Sequence, residues 1–151
     1  MNNIIIEKTD SDSDFDAVYF KIDVSNKDCL AASKIGFIGR VFIYGYIGRV
    51  ELQEAATRII EFSSNPTESY CFQLSDTLLG ADGNLFLEFL PAHSTGSVEI
   101  KISSEIRINT NKTENCTFHI ESELGLIEQF GKRLKSFSEQ NGLQEVSLHT
   151  P

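Results

Sequence analysis

The sequence has no long hydrophobic run. Near its start, three consecutive isoleucines, Ile4 to Ile6, are followed at once by charged residues, a run far too short for the apolar core of a signal peptide. No later stretch approaches the roughly 20 apolar residues that span a membrane. These absences predict a protein that stays in the cytoplasm and has no membrane partner.

Cysteine is scarce and is not arranged for chemistry. The three cysteines, Cys29, Cys71 and Cys116, are widely spaced and form no Cys-x-x-Cys or Cys–His pair with the spacing of a metal site. Disulfide frameworks belong to oxidising compartments, so we expect these residues to be small core or strand residues in a reducing one. The pattern predicts no metal ligands and again indicates the cytoplasm.

Basic residues are also few. The chain has 13 Lys and Arg and 22 Asp and Glu, which gives a formal net charge of −9 at pH 7. Nucleic acids and anionic membranes are bound through clustered Lys and Arg, so neither is expected as a direct partner. A basic protein is the natural complement, although an acidic surface also serves simply to keep a small protein soluble.

The acidic residues are concentrated in two segments. Residues 1–28 carry seven acids and three bases, and residues 51–90 carry seven acids and one base, whereas residues 29–50 carry three bases and no acid. We expect a basic partner to be met by acids of the first loop and the first helix. The candidate partner-binding residues are Asp12, Asp14, Asp16, Glu51, Glu54 and Glu61.

The densest acidic stretch, TDSDSDFD at positions 9–16, has some features of a calcium loop. Counting from Asp10, the first three ligand positions of an EF-hand loop are filled. The sixth position, which needs glycine for a sharp turn, is Phe15, and the twelfth, which needs glutamate, is Lys21. We therefore expect a solvated acidic loop between two strands, with weak cation binding of another kind as the alternative.

Hydrophobic periodicity predicts strands and two helices in the order β-β-β-α-β-β-β-β-α. The helices are expected over residues 50–65 and 123–140, and residues 143–151 either add a short edge strand or stay loose. No sequence repeat is apparent. The whole chain, 1–151, is expected to be a single α+β domain. We predict that the domain contains a single antiparallel sheet of about six to seven strands and that two helices pack on the apolar face of that sheet. The predicted strands cover residues 4–8, 17–24, 34–48, 68–75, 84–91, 97–109 and 116–122.

The glycine-rich segment KIGFIGRVFIYGYIG, residues 34–48, is apolar on both faces. Such a strand is expected to be covered on both sides or bent over a helix. Its glycines do not have the spacing of a dinucleotide-binding or P-loop motif, so nucleotide binding is not indicated.

Side chains for catalysis are sparse. His93, His119 and His149 form no metal-binding or nucleophile-activating motif, and no serine lies in a G-x-S-x-G elbow. The prediction is a protein that is not an enzyme. The catalytic alternative places His119, Glu121 and Glu99 together on one exposed sheet face.

Three stretches carry a resemblance to a known family: DSDSDFDAVYFKIDV, GRVELQEAATRIIEF and CTFHIESELGLIEQFGKRLKSF. Their order and spacing, over roughly residues 4–137, resemble the WapI-type family of bacterial immunity proteins. The resemblance implies a small cytoplasmic partner of a secreted polymorphic toxin. Such a protein neutralises the toxin's C-terminal domain by binding its active site or an exosite, without a cofactor.

Two other functions stay open. An acidic type III secretion chaperone is the first alternative, since such chaperones are also acidic α+β proteins of about this size, although several of them open with a helix. A small enzyme or ligand-binding domain is the second. The neighbouring gene discriminates between the first two, because a large secreted toxin favours immunity and an effector favours the chaperone.

Overall fold

Strands make up most of the described chain. The structure, a computed structural model, describes residues 2–12, 17–26, 39–75, 83–109, 111–139 and 141–150. No helix in these ranges is long and apolar enough to cross a membrane. In chain order the elements are β1 (Asn2–Asp12), β2 (Ala17–Asn26), β3 (Gly39–Gly48), α1 (Arg49–Ser64), β4 (Tyr70–Ser75), β5 (Gly83–Phe89), β6 (Ser97–Asn109), β7 (Lys112–Glu123), α2 (Leu124–Phe137) and β8 (Glu145–Thr150).

The strands form two antiparallel four-stranded sheets. Sheet A has the order β3-β2-β1-β8, and sheet B has the order β4-β5-β6-β7. The α+β class, the antiparallel pairing and the two helices are confirmed, but the prediction of a single sheet of about six to seven strands is wrong. The reason is that α1 carries the chain from the edge of sheet A to the edge of sheet B, so β3 and β4 are not hydrogen-bonded neighbours.

The first strand is longer than its hydrophobic pattern indicated. A bulge between Lys8 and Asp10 lets the ladder with β2 continue until Asp12 faces Ala17. The expectation of a loop was therefore wrong for residues 9–12, because they belong to β1 and Asp10 to Asp12 pair with β2. Asp14 and Asp16 lie outside the described residues.

The core of the described chain is one apolar cluster to which both sheets and both helices contribute. On β6, for example, Val98, Ile100 and Ile102 are fully buried and alternate with polar residues on the outer face. Strict alternation of this kind requires one dry and one wet face, because successive strand side chains point to opposite sides. The two helices also pack against each other.

The two halves of the molecule repeat one architecture without repeating its sequence. Sheet A, read as β8-β1-β2-β3, is followed by α1, and sheet B, read as β4-β5-β6-β7, is followed by α2. In both cases the last residue of a strand is the N-cap of the helix, so the helix begins at the next residue. Their buried positions have the same spacing and match as Leu52 with Ile127, Ala55 with Phe130, Ala56 with Gly131, Ile59 with Leu134, and Phe62 with Phe137.

The strand ladders extend this correspondence. The shift in residue number that aligns α1 with α2 also aligns β3 with β7. The pairing of β2 with β3 and of β6 with β7 then aligns β2 with β6. In this alignment Val18 and Phe20 match Val98 and Ile100, which are equally buried. The helices meet where both repeats carry a small residue, because a Cβ on Gly131 would lie 3.3 Å from the carbonyl oxygen of Ala56.

Two cations from the first half bind the end of α2. Lys8 Nζ donates a hydrogen bond to the Glu139 carbonyl at 3.1 Å and lies 5.1 Å from the centroid of the Phe137 ring. The Arg49 guanidinium donates to the carbonyl of Ser138. Burial lowers the pKa of Lys8, and the nearby charge of Arg49 lowers it further. Cations suit this position because the C-terminal carbonyls of a helix carry partial negative charge.

Candidate functional site

A cluster of aromatic side chains covers part of the outer face of sheet A. Phe42 and Tyr44 are 45% and 50% exposed, and Tyr19 and Tyr46 are half-buried. The Phe42 and Tyr44 ring centroids are 5.3 Å apart, and those of Tyr19 and Tyr46 are 5.1 Å apart. We call these four residues the aromatic face.

The aromatic face contradicts the first of the two expectations for β3, that the strand is covered on both sides. Only its inner row, Val41, Ile43 and Ile47, is buried in the core. Among the described strands, β3 has a single hydrogen-bonded neighbour, β2, and in its outer row Phe42 and Tyr44 are exposed and Tyr46 is half-buried. Exposed aromatics that lie side by side are typical of interaction surfaces.

Charged residues flank the aromatic face, with acids in excess. One row across sheet A runs from Glu145 through Glu7 and Lys21 to Tyr44. Lys21 Nζ lies 2.9 Å from Glu7 Oε2, and this hydrogen bond, followed by the Glu7 charge, raises the pKa of Lys21. In the next row, Asp23 is the cross-strand neighbour of Phe42.

Two of the predicted partner-binding acids, Asp12 and Glu51, belong to the end of sheet A that carries Tyr19 and Tyr46. The register places Asp10 opposite Tyr19, and it places Asp12 opposite Ala17, the neighbour of Gly48. Gly48 precedes the first residue of α1, and a Cβ at this glycine would collide with the Glu51 carboxylate. The fold therefore brings the backbone of Asp12 and the carboxylate of Glu51 to the same end of sheet A.

The remaining predicted acids are spread along the outside of α1. Glu51, Glu54 and Glu61 are all exposed. Glu54 lines a shallow groove of about 440 Å³ that lies between α1 and α2 and includes Lys135. Glu61 lines a hollow of about 250 Å³ at the end of α1. These acids form an interrupted row, because Arg58 lies between Glu54 and Glu61 in sequence and lines both hollows.

The catalytic alternative falls on the outer face of sheet B. Glu99 is the cross-strand neighbour of Glu121, and His119 is the neighbour of Lys101. Ser97 Oγ donates a hydrogen bond to Glu121 Oε1 at 2.7 Å. The sheet thus places the three predicted residues together on an exposed polar face, and no group of three or more His, Cys, Asp or Glu in the described part of the chain is arranged to hold a metal ion.

The aromatic face was missed from the sequence. Its signal was present as aromatic residues at alternate positions 42, 44 and 46, but the same strand is apolar on both faces, which indicated burial. Comparisons with protein-family models, curated proteins and solved structures find no match.

Proposed function

We propose that the protein is a non-catalytic bacterial immunity protein that acts in the cytoplasm and neutralises a toxin domain by direct binding through its acidic surface. The observation that supports this proposal is the exposure of Glu51, Glu54 and Glu61 along α1, next to the acidic end of β1. Surface carboxylates that are not folded into the core are available to a basic partner.

Electrostatics makes this mode of action effective. Toxins of this kind are often nucleases, whose substrate sites are basic, and an inhibitor with a net charge of −9 imitates a polyanionic substrate. Complementary charge accelerates the encounter of two proteins, and a few desolvated pairs lower the rate of dissociation. We therefore expect a tight 1:1 complex with the toxin's C-terminal domain and no cofactor.

The proposal is tested by charge reversal at two positions of α1. We expect the variant Glu54→Lys/Glu61→Lys to associate with the toxin domain encoded by the neighbouring gene more slowly than the wild type and to protect less in co-expression. For the wild type, association should slow as salt rises towards about 0.5 M, where the Debye length is roughly 4 Å. Stopped-flow association rates across a salt series measure both effects.

A matched control separates local charge from total charge. The variant Glu105→Lys/Glu114→Lys makes the same change in net charge at two exposed positions of sheet B. We expect it to associate faster than the α1 variant. Equal rates and equal salt slopes for the wild type and the α1 variant would refute the electrostatic mechanism. Failure of the wild type to neutralise the neighbouring toxin would refute the immunity function.

A further inference from the structure

The structural repeat provides an internal comparison for the aromatic face. The superposition of β2 and β3 on β6 and β7 matches each aromatic residue with an outer-face residue of sheet B. All four of these counterparts are polar. The matched positions are Tyr19 with Glu99, Phe42 with Thr117, Tyr44 with His119, and Tyr46 with Glu121.

This comparison shows that the architecture does not need aromatic residues on its outer face. Sheet B has the same ladder, the same inner alternation and the same following helix, with polar residues at these positions. Large exposed rings that the fold does not require are therefore best explained by contact with another molecule. An aromatic side chain buries about 150–250 Å² when it is fully covered. Phe42 and Tyr44 still expose about half of their surface, and Tyr19 and Tyr46 expose less, so the four rings can form the centre of an interface but not the whole of one.

The surrounding charges indicate the chemistry of the partner. In the rows that contain Tyr44 and Phe42, three acids, Glu7, Asp23 and Glu145, outnumber the one base, Lys21. Asp23 is the direct neighbour of Phe42, whereas Glu7 pairs with Lys21 and Glu145 lies one strand further on β8. The carboxylate of Glu51 lies at the end of β3. Arginine matches this combination best, because its guanidinium stacks on aromatic rings and also pairs with carboxylates. A second copy of this chain fits poorly, since both copies carry a net charge of −9.

We propose that the aromatic face binds an arginine-rich segment of the protein partner, with the acids at the end of sheet A as its rim. This inference rests on the proposed function, because it identifies where the basic partner makes its central contact. In this arrangement the aromatic rings provide the desolvated centre of the interface and the acids of α1 mainly affect the rate of association.

The test uses a defined probe and a variant taken from the repeat. The probe is a capped peptide of alternating glycine and arginine, and the matched peptide contains lysine in place of arginine. The variant Phe42→Thr/Tyr44→His places the sheet B residues at the equivalent sheet A positions. The control Phe86→Thr removes an aromatic ring that is 38% exposed on sheet B.

Peptide titrations of the isotope-labelled protein by NMR measure the outcome. For the wild type we expect amide shifts that concentrate on β2 and β3, and weaker binding of the lysine peptide. The double variant should bind the arginine peptide at least about fivefold more weakly while keeping the wild-type fold, because two ring contacts are lost. The Phe86→Thr control should bind like the wild type.

Several results would overturn the inference. Shifts that map to sheet B, equal binding of the two peptides, or unchanged affinity of the double variant would each do so. A dimer in sedimentation that the double variant abolishes would identify a second copy as the occupant instead. The wild-type shift map decides the matter even if the double variant does not fold.

This test separates the two proposals. Toxin neutralisation that survives the double variant overturns the inference about the aromatic face alone. Arginine-peptide binding at the aromatic face, with no neutralisation of the neighbouring toxin, overturns the immunity function alone.

Discussion

Cys71 lies on β4 with an exposed side chain, opposite Glu88 on β5. Desolvation, and then the negative charge of Glu88, raise the pKa of the Cys71 thiol, and burial raises the pKa of Cys116. Because the thiolate is the reactive form of cysteine, a raised pKa leaves both side chains with less thiolate at neutral pH than a free cysteine has. Their position on strands agrees with the expectation from the sequence.

We expect Cys71 to react slowly despite its exposure. In a variant with Cys29 and Cys116 replaced by serine, the alkylation rate with iodoacetamide should rise with pH through a midpoint above that of free cysteine. Replacing Glu88 with Gln should move this midpoint down, since one cause of the raised pKa is removed.

The change Glu121→Gln, on another strand, is the matched control and should leave the midpoint of Cys71 unchanged. A midpoint at or below that of free cysteine would contradict the environment that the structure gives this thiol.

Burial of single residues was predictable from the sequence where strands alternate strictly. Val98, Ile100 and Ile102 were expected on a dry face and are fully buried. Phe42 and Tyr44 were not predictable as exposed residues, because an apolar strand does not reveal which of its faces another layer covers. That information depends on contacts between residues far apart in the sequence.

At the scale of the element, the two glycines of α2 have opposite surroundings. Gly125 is exposed, and nothing lies within 4 Å of a Cβ built on it. A Cβ on Gly131 would lie 2.8 Å from Ile60 Cγ1 and 3.1 Å from Ile59 Cγ2. Glycine at position 131 thus permits the close crossing of the two helices, whereas glycine at position 125 has no such packing role.

We expect the same substitution to have opposite effects at these two sites. Gly125→Ala should stabilise the protein by up to about 1 kcal/mol through helix propensity. Gly131→Ala gains the same propensity but overpacks the helix crossing, which costs about 1–3 kcal/mol, so it should be destabilising. Urea unfolding of the two variants measures the difference, and equal stabilisation by both would show that the helices do not cross closely here.

Elements with a strong period were predicted well. The strand at residues 97–109 and both helices were found within a few residues of their predicted ends. β1 was predicted too short, because its second half is set by pairing with β2 and not by hydrophobicity. For the same reason the sequence does not decide whether residues 143–151 form an edge strand or stay loose. Pairing with β1 makes residues 145–150 the edge strand β8.

At the scale of the whole molecule, the sequence did not reveal that the strands divide into two sheets. Hydrophobic periodicity predicts the order of the elements. Whether the strands form one sheet or two depends on which strands pair along their edges, and those strands are far apart in sequence. Each helix connects a strand of one sheet to a strand of the other: α1 connects β3 to β4, and α2 connects β7 to β8. The two repeats are therefore linked through the helix pair and one shared core.

This linkage predicts that residues 1–151 unfold as one cooperative unit. The chain has no tryptophan, and Tyr19, Tyr44 and Tyr46 lie in sheet A, whereas only Tyr70 lies in sheet B. Tyrosine emission therefore reports mainly on sheet A, and far-UV circular dichroism reports on both sheets and the helices. In urea, we expect the two signals to give one midpoint and one slope.

A core variant makes the test sharper. Leu134 is fully buried on α2, so Leu134→Ala should cost about 2–5 kcal/mol and shift both signals together. Lys132→Ala on the same helix should cost little, because this side chain is 62% exposed and its ion pair with Glu128 lies at the surface. If the midpoint from tyrosine emission shifted and the midpoint from circular dichroism did not, sheet A would unfold on its own. The chain would then contain two cooperative units instead of one. An equal shift of both urea midpoints would mean that a change in the shared core also destabilises sheet A, which carries the aromatic face. Binding by core variants must then be compared at equal fractions of folded protein.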